Sequence, residues 1–545
     1  MWVLIRTLGF FVLFVSLASV SPGATITGSL KGSDGAPFEG AFVQVQNTKT
    51  KITVNVLSNQ DGRYRVESLP AGEYDLRIRA IGYKSEPQRA VSLAADQNAS
   101  FDFALEKGMV RWSDLSYYQG IHLFPDAPAK KEYVGTCFGC HGFQTRMAPV
   151  RRNEEGWRDR VNYMRELTHS ATAPFLTEQK ANDIAAYINS LFGEDSVLPR
   201  SPADMPEYKG LVRHFGDEAM SIVYVEYDMR GPSRMPWDAN PAKDGSVWIA
   251  NYGGTNAIDR LDPKTGEMKE FKLPTQGPAF IHSAWEAPDG NVWFVEQAPN
   301  KIGKWDPKTQ EITEYQDAFI PGKEGLRSGG SKHTIRIDSK GIVWTSGTPF
   351  GSFDPGTRKF TEYPVAPNKG DRGITWMTGI QTSDTYGLEI DKDDNVWVTG
   401  FTPDGKLYKK DGKTGKITGY SPPTAGLPRQ IAADTDGTIW FGEYAAGKLG
   451  HFDPRTNTFK EYSLPGPDAS PYALGIDKDH HIWYSSEQMD VVGRLDPNSG
   501  QVTEYPFPQS ENTMREFIPD SEGRMWFASP ANNKVGYFYL ADRKP

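Results

Sequence analysis

The stretch Cys137-Phe138-Gly139-Cys140-His141 carries the most specific chemistry in the chain, and its two cysteines are the only ones present. Two thiols three positions apart, followed at once by an imidazole, are the arrangement that bonds a haem covalently through its vinyl groups and sets a His on the iron. A structural zinc needs two more ligands at matching spacing, and no other Cys exists to supply them. A thioredoxin-type pair needs a βαβ setting, whereas the residues around this motif have helical periodicity. The motif therefore implies one covalently bound haem c, with Cys137 and Cys140 as attachment points and His141 as an axial ligand.

A second group of chemically capable residues comes from a repeat. Trp248, Trp293, Trp344, Trp397, Trp440, Trp483 and Trp526 each follow a short polar turn, at spacings of 45, 51, 53, 43, 43 and 43. Each unit reads turn, aromatic strand, Gly-Arg-Leu-Asp-Pro-like strand and Thr-Glu-Tyr-like strand. A four-stranded unit of this period is the signature of a β-propeller, and seven units make seven blades. Counting back eight residues from the turn Gly, with Asn395 in its place in the fourth unit, yields Trp237, His282, His333, Gly387, Arg429, Tyr472 and Arg515. These are expected on the innermost strands, facing the central channel. The residues three after each Trp are Asn251, Glu296, Gly347, Gly400, Glu443, Ser486 and Ser529. His and Glu at neighbouring positions can act as base and metal ligand, or as a polar clamp on substrate. The catalytic candidates are thus His282, His333, Glu296, Glu443, Arg429, Tyr472 and Arg515. The plainer alternative is that they hydrate a wet channel.

Three textures position these groups, after a leader. Arg6 is the only charge in the first 30 residues, and an apolar run from Leu8 to Val20 leads to Ser21-Pro22-Gly23-Ala24. Residues 1–23 therefore read as a secretory signal, and a periplasmic or otherwise exported protein is expected. The run is short of a full membrane span, and no later stretch could cross a bilayer. Residues 24–107 alternate apolar and polar, with Asp61-Gly-Arg-Tyr, Leu69-Pro-Ala-Gly and Gly82-Tyr punctuating them. This predicts a small antiparallel sandwich. The segment resembles the carboxypeptidase regulatory-like domain, which implies a transthyretin-like sandwich with a scaffolding or binding role.

Residues 108–205 turn helical, with apolar spacing of three and four over Arg158 to Leu167 and Glu178 to Phe192. Thr177 stands where an N-cap belongs and Gly193 where a helix stops. This segment resembles a small monohaem cytochrome c, over the Cys137 to His141 motif, Trp157 to Met164 and the closing helix. That likeness implies a Met as sixth iron ligand. Met164, seven residues after Trp157 on a helix, is better placed than the loop residue Met147; His169 is a third candidate. Pro199, Pro202 and Pro206 then mark a short linker, which should hold the haem near one face of the propeller.

The propeller is expected over residues 208–545. Its last unit lacks an outer strand, and Val225-Glu-Tyr-Asp before the first unit should supply it. Phrases such as Ile439-Trp-Phe-Gly-Glu-Tyr, Val492-Gly-Arg-Leu and Thr503-Glu-Tyr-Pro resemble the streptogramin B (virginiamycin B) lyase family. That resemblance implies a carbon-oxygen lyase with a catalytic His, at His282 or His333, and Mg²⁺ held by Glu, at Glu296 or Glu443. The most lyase-like blades instead hold Arg429, Tyr472 and Arg515 at the His position.

The expected fold is mainly β: an N-terminal β-sandwich, a small α-helical cytochrome c domain and a C-terminal seven-bladed propeller. A net charge of −9 with no basic stripe excludes nucleic acid as a natural partner. The first functional expectation is electron transfer, with a redox partner or a small-molecule or polymer substrate at the propeller. A Mg²⁺-dependent lyase and a non-enzymatic binding protein are the alternatives.

Overall fold

In a computed structural model the chain is described over residues 23–138, 141–167, 176–232, 234–317, 331–348, 350–363, 365, 385–400 and 405–541. Residues 1–22 of the expected leader, Cys140 and His169 lie outside these.

Polar and apolar alternation builds the N-terminal strands. Along Arg63–Leu69, Tyr64, Val66 and Leu69 are buried while their neighbours face solvent. That strand pairs antiparallel with Ala24–Lys31, which carries Asn98–Ser100 on its other edge. A second sheet runs Thr53–Leu57, Phe42–Asn47, Gly72–Arg79, Gln88–Leu93. Val43, Val45 and Leu76 from it close on Ile26, Tyr64 and Val66 from the first, giving the expected sandwich core.

The helical segment contains Tyr117–Leu123, Pro128–Cys137, Glu154–Leu167 and Glu178–Phe192. Glu178–Phe192 has the expected ends: the Thr177 hydroxyl accepts from the Lys180 N–H at 3.3 Å, and Gly193 terminates it. Glu154–Leu167 starts earlier than expected, with Glu154 and Glu155 suited to a helix N-terminus. The helices enclose an aromatic core that includes Phe124, Tyr133, Phe143, Trp157, Tyr187 and Phe192.

Six four-stranded antiparallel sheets follow in chain order, from Pro236–Pro241 to Val502–Pro506. Their repeat phrases have packing reasons. The indole N–H of Trp344, Trp397, Trp483 and Trp526 donates to Asp338, Asp391, Asp477 and Asp520, at 2.8–2.9 Å. Rings of Phe294, Phe441 and Tyr484 lie over Gly303, Gly450 and Gly493, where a Cβ would stand 2.0–2.1 Å from ring carbons. Any larger residue there would push the ring out of the blade.

The seventh blade closes as the sequence predicts. Ile222–Asp228 pairs antiparallel along its whole length with Lys534–Leu540. Its other edge was not foreseen. Tyr224, Val225 and Glu226 pair with Asn55, Val54 and Thr53 of the sandwich. One eight-stranded sheet therefore runs from the seventh blade into the sandwich. The sandwich and the propeller, separated in sequence by the whole helical segment, share a hydrogen-bonded ladder. Inside this joint Asn55 Nδ2 and Gln509 Nε2 donate to Glu226 Oε2 at 3.0 and 2.8 Å.

Two truncations separate these roles. A chain starting at residue 208 keeps the closing strand but bares its outer edge, so it should melt below the full chain and self-associate. A chain starting at residue 230 loses ring closure and should show no cooperative transition. Scanning calorimetry with light scattering reads both; a residue-208 chain that stays monomeric at the full chain's Tm would show that the shared ladder contributes nothing.

Candidate functional site

The motif cysteine Cys137 ends the helix Pro128–Cys137 and is half-buried; Cys140 is outside the described residues. His141 Nδ1 lies 3.1 Å from the Gly142 carbonyl oxygen. With the proton on Nδ1 in that bond, Nε2 is the nitrogen left for a metal. Burial, with Arg146 nearby, pulls His141 down to about 4, so its imidazole is neutral at pH 7.

Several buried polar atoms near this loop lack a hydrogen-bond partner: Tyr117 Oη, Gln144 Oε1 and Nε2, Arg146 Nε and Trp157 Nε1. The Tyr117 ring and Gln144 Oε1 crowd Gly142, at 2.0 and 2.2 Å from where a Cβ would be. Unsatisfied buried polar groups are costly, and the donors of this set, Tyr117 Oη, Gln144 Nε2, Arg146 Nε and Trp157 Nε1, suit the carboxylates of a haem beside its His. The residues present therefore fit the group that the motif implies. Of the candidate sixth ligands, Met147 is buried and its sulfur accepts the Tyr133 hydroxyl at 3.0 Å. Met164 is half-buried on Glu154–Leu167, two turns from Trp157 and so on the same helix face.

The helical segment docks on the propeller through loops of blades six and seven. Both Glu511 oxygens are engaged: Oε1 accepts the Gly142 N–H at 2.7 Å, and Oε2 accepts the Thr145 N–H at 2.8 Å and its hydroxyl at 2.6 Å. The Tyr118 N–H donates to the Gln488 carbonyl at 2.9 Å, and the Ser510 hydroxyl to that of Ser113 at 2.6 Å. Glu511 is fully buried and has a φ of 62°, a strained region for a Glu. Its own N–H is held by Asp490 Oδ2 at 3.0 Å.

Four residues beyond Glu511, Arg515 enters the channel. The structure brings the sequence-derived channel set together with one correction. Trp237 Nε1 donates to His282 Nε2 at 2.8 Å, and the His282 and His333 rings are 3.6 Å apart. The fourth member is Tyr386, whose ring is 4.0 Å from His333, and not Gly387. The left-handed turn residue in that blade is Asp394, with φ 58°, so counting from Asn395 slipped by one. Gly387 instead packs on blade five, with the Arg429 carbonyl oxygen 2.7 Å from its Cβ position. Arg429 stacks over Tyr386, Tyr444 and Tyr472 at 4.6–5.1 Å, and Arg515 over Tyr472 and Trp237 at 4.4 and 4.8 Å.

Glu296 and Glu443 sit elsewhere. Each is buried within its own blade in a matching cluster: Glu296 with Thr275, Lys301 and Glu314, and Glu443 with Lys448 and Glu461 beside Thr424. Burial pushes Glu296 up to about 7 and Glu443 up to about 8. The residues one position further on in blades one, two, five and six are Tyr252, Gln297, Tyr444 and Glu487, and these turn to the channel instead, because a strand alternates faces; the Tyr252 hydroxyl donates to Gln297 Oε1 at 2.6 Å. Tyr252 stacks on Trp237 at 4.2 Å, and Tyr444 donates to Glu487 at 3.2 Å. Glu487, missed by the count, pairs with Arg515 at 3.0 Å. The Mg²⁺ set inferred from resemblance is thus not assembled beside His282 and His333. Burial and the Arg515 charge pull His282 down to about 3, and His333 lies well below its usual value.

Among the described residues, the group of three with metal-ligand spacing is Asp477, Asp479 and His481, in the turn at the other end of the strand from Tyr472. No helix among the described residues is long and apolar enough to cross a membrane.

The buried Glu443 has a folded pKa raised above the value of an unfolded Glu, so the folded state binds more protons between roughly pH 4.5 and about 8. Its contribution is fully present below pH 4 and is lost as pH rises toward 8. Glu443→Gln, which keeps the neutral shape, should flatten the fall of Tm between pH 5 and 8. A Tm profile parallel to that of the parent protein would refute the assignment.

Residues 375–542 match the model of the virginiamycin B lyase family, and residues 25–106 match that of the carboxypeptidase regulatory-like domain. A solved streptogramin B lyase is 26% identical with a TM-score of 0.51, over 60% of this chain and 100% of that one. Virginiamycin B lyase from Staphylococcus aureus is 25% identical with a TM-score of 0.50, over 58% of this chain and 99% of that one. A catalytically inactive histidine variant of it, solved with quinupristin, aligns equally well. A search of curated proteins found no match. The C-terminal part is therefore a virginiamycin B lyase-like propeller. The family match begins after His282 and His333, so it covers blades whose channel residues are Tyr386, Arg429, Tyr472 and Arg515.

Proposed function

We propose that the chain is an exported haem c protein of electron transfer, whose propeller receives a small molecule, a polymer or a redox partner at the channel mouth beside the haem segment. Cys137, Cys140 and His141 would hold the haem, with Met164 as sixth ligand. Bound there, the group supplies one-electron chemistry, and His/Met ligation raises its potential. The chain's own residues do the positioning. His141 Nδ1 is tied to a backbone carbonyl, the unpaired donors around Gly142 receive acidic groups, and the docked loops keep water from the contact.

The observation that carries the reading is the Glu511 carboxylate. It binds the N–H groups of Gly142 and Thr145 in the loop that follows His141, while its own chain leads in four residues to Arg515. Tyr117 supports the same path: its ring packs on Gly142, and its hydroxyl lies in the field of Glu511, Glu487 and Arg515.

A second reading, elimination at the same mouth, is favoured by the lyase-family match. It expects turnover that needs Mg²⁺ and is lost in His282→Ala or His333→Ala. The placement of Glu296 and Glu443 and the low pKa of both histidines weigh against it.

The test uses holoprotein matured in a host that attaches haem c, oxidised and exposed to a small-molecule pool from the producing cell. Absorption should show covalent haem and its reduction, with reduction abolished in Arg429→Ala and slowed at least tenfold in Glu511→Ala while haem content holds. Haem that never attaches would overturn the haem reading. Reduction at the parent rate in both variants would detach the haem from the channel, and chelator-sensitive turnover with silent haem would favour elimination.

A further inference from the structure

We infer that a cavity between the first and second blades binds a small sugar acid, whose carboxylate takes the place that an Asp side chain holds in other blades. The cavity encloses about 270 Å³. It lies at the far end of the strand Pro236–Pro241 from Trp237, so it is separate from the channel mouth, and the proposal rests on neither the mouth nor the haem. Its size is just under the roughly 300 Å³ at which pockets for drug-sized ligands begin, which suits an occupant of about one ring.

The first argument is a missing acceptor. In four blades the strand Trp donates its indole N–H to an Asp six residues earlier. Six residues before Trp248 stands Ala242 instead. The blade keeps an Asp two positions on, Asp244, but its oxygens are spent. Oδ1 accepts the Ser246 N–H and hydroxyl at 2.9 and 2.6 Å, and Oδ2 accepts from Arg260. Trp248 lines the cavity together with Trp305 of the second blade, their rings 4.7 Å apart. Trp305 is 5% exposed, and its Nε1 has no hydrogen-bond partner. An indole N–H can only donate, so the wall holds a buried donor in need of an oxygen.

The second argument is the rest of the wall. Its ionisable groups are Lys243, Arg260, Lys269, Asp244 and Glu286. With Asp244 held by Arg260, Glu286 is the one carboxylate of the wall left to two lysines. Lys243 Nζ donates to the Pro288 carbonyl at 3.3 Å, and Lys269 Nζ to Gln310 Oε1 at 2.9 Å, both neutral acceptors. Glu270, beside Lys269 in sequence, faces the other side of its strand and pairs with Arg234. A ligand carboxylate therefore meets a lysine and an indole at once. Glu286 and Gln310 remain as polar partners for hydroxyl groups, which a bare oxyanion lacks.

The full chain is titrated calorimetrically with D-glucuronate and, separately, with D-glucose, which has the same ring without the carboxylate. Glucuronate should bind at one site, at least tenfold tighter than glucose. Ala242→Asp restores the carboxylate of the other blades and should weaken glucuronate at least tenfold. If that variant does not fold, Lys269→Gln, at an exposed position, is read for a loss of at least threefold. Absence of saturable glucuronate binding, glucose binding as tightly, or the parent affinity in the folded variant overturns the inference. Inorganic phosphate binding as tightly as glucuronate overturns it too, because the hydroxyl groups would then contribute nothing.

Discussion

A β-strand has two hydrogen-bonding edges, and Ile222–Asp228 has each of them filled by a different domain. Lys534–Leu540 takes one edge and so closes the propeller; Thr53–Leu57 takes the other and so anchors the sandwich. A propeller whose outermost strand is unpaired would offer a template for another chain. Here that edge is covered from within. Glu226, central in the strand, is raised in pKa by burial and is held by Asn55 from one side and Gln509 from the other, with Lys534 nearby. The same side chain thus reads whether ring closure and sandwich docking are both in register.

The helical segment is caught in this arrangement. Half-buried Arg79 of the sandwich lies in the field of Asp114 from the helical segment and of Asp490 from the propeller. Asp490 in turn accepts the backbone N–H groups of Glu511 and Asn512, at 3.0 and 2.6 Å, which fixes the turn that presents Glu511 to Gly142 and Thr145. Three domains therefore meet around one group of ionisable side chains. The helical segment is thus held to the propeller by hydrogen bonds as well as by the short Pro-containing stretch that follows it.

Local pattern made much of this legible. Blade count and the helix Glu178–Phe192 follow from periodicity and caps, because each is decided by neighbours in sequence, and the closing strand follows from the strand that the last unit lacks. The errors have equally local causes. Asn395 was taken for the turn residue where Asp394 has the positive φ, and a one-residue slip in a strand moves a side chain to the other face. The set Asn251, Glu296, Glu443 and Ser486 is likewise one residue short of Tyr252, Gln297, Tyr444 and Glu487, which reach the channel. Glu511 left no signal at all. Its partners are 366 and 369 residues away, and nothing about a Ser-Glu-Asn loop announces what it will bind.

The blade grammar and the channel chemistry are independent for a physical reason. The Trp–Asp bonds and the ring-over-Gly contacts lie inside single blades, so they hold each sheet together whatever residue lines the channel. Channel residues contact chiefly one another: the ring of Trp237, His282, His333, Tyr386, Tyr472 and two arginines is closed by its own stacking and hydrogen bonds. Deeper in, burial and the neighbouring Glu516 hold the Asp238 carboxyl well above its usual range beside Arg336, another self-contained set. A propeller can therefore keep the lyase-like sheet pattern while its channel changes from one chemistry to another. Likeness of fold here is informative about the frame and not about the chemistry of the channel.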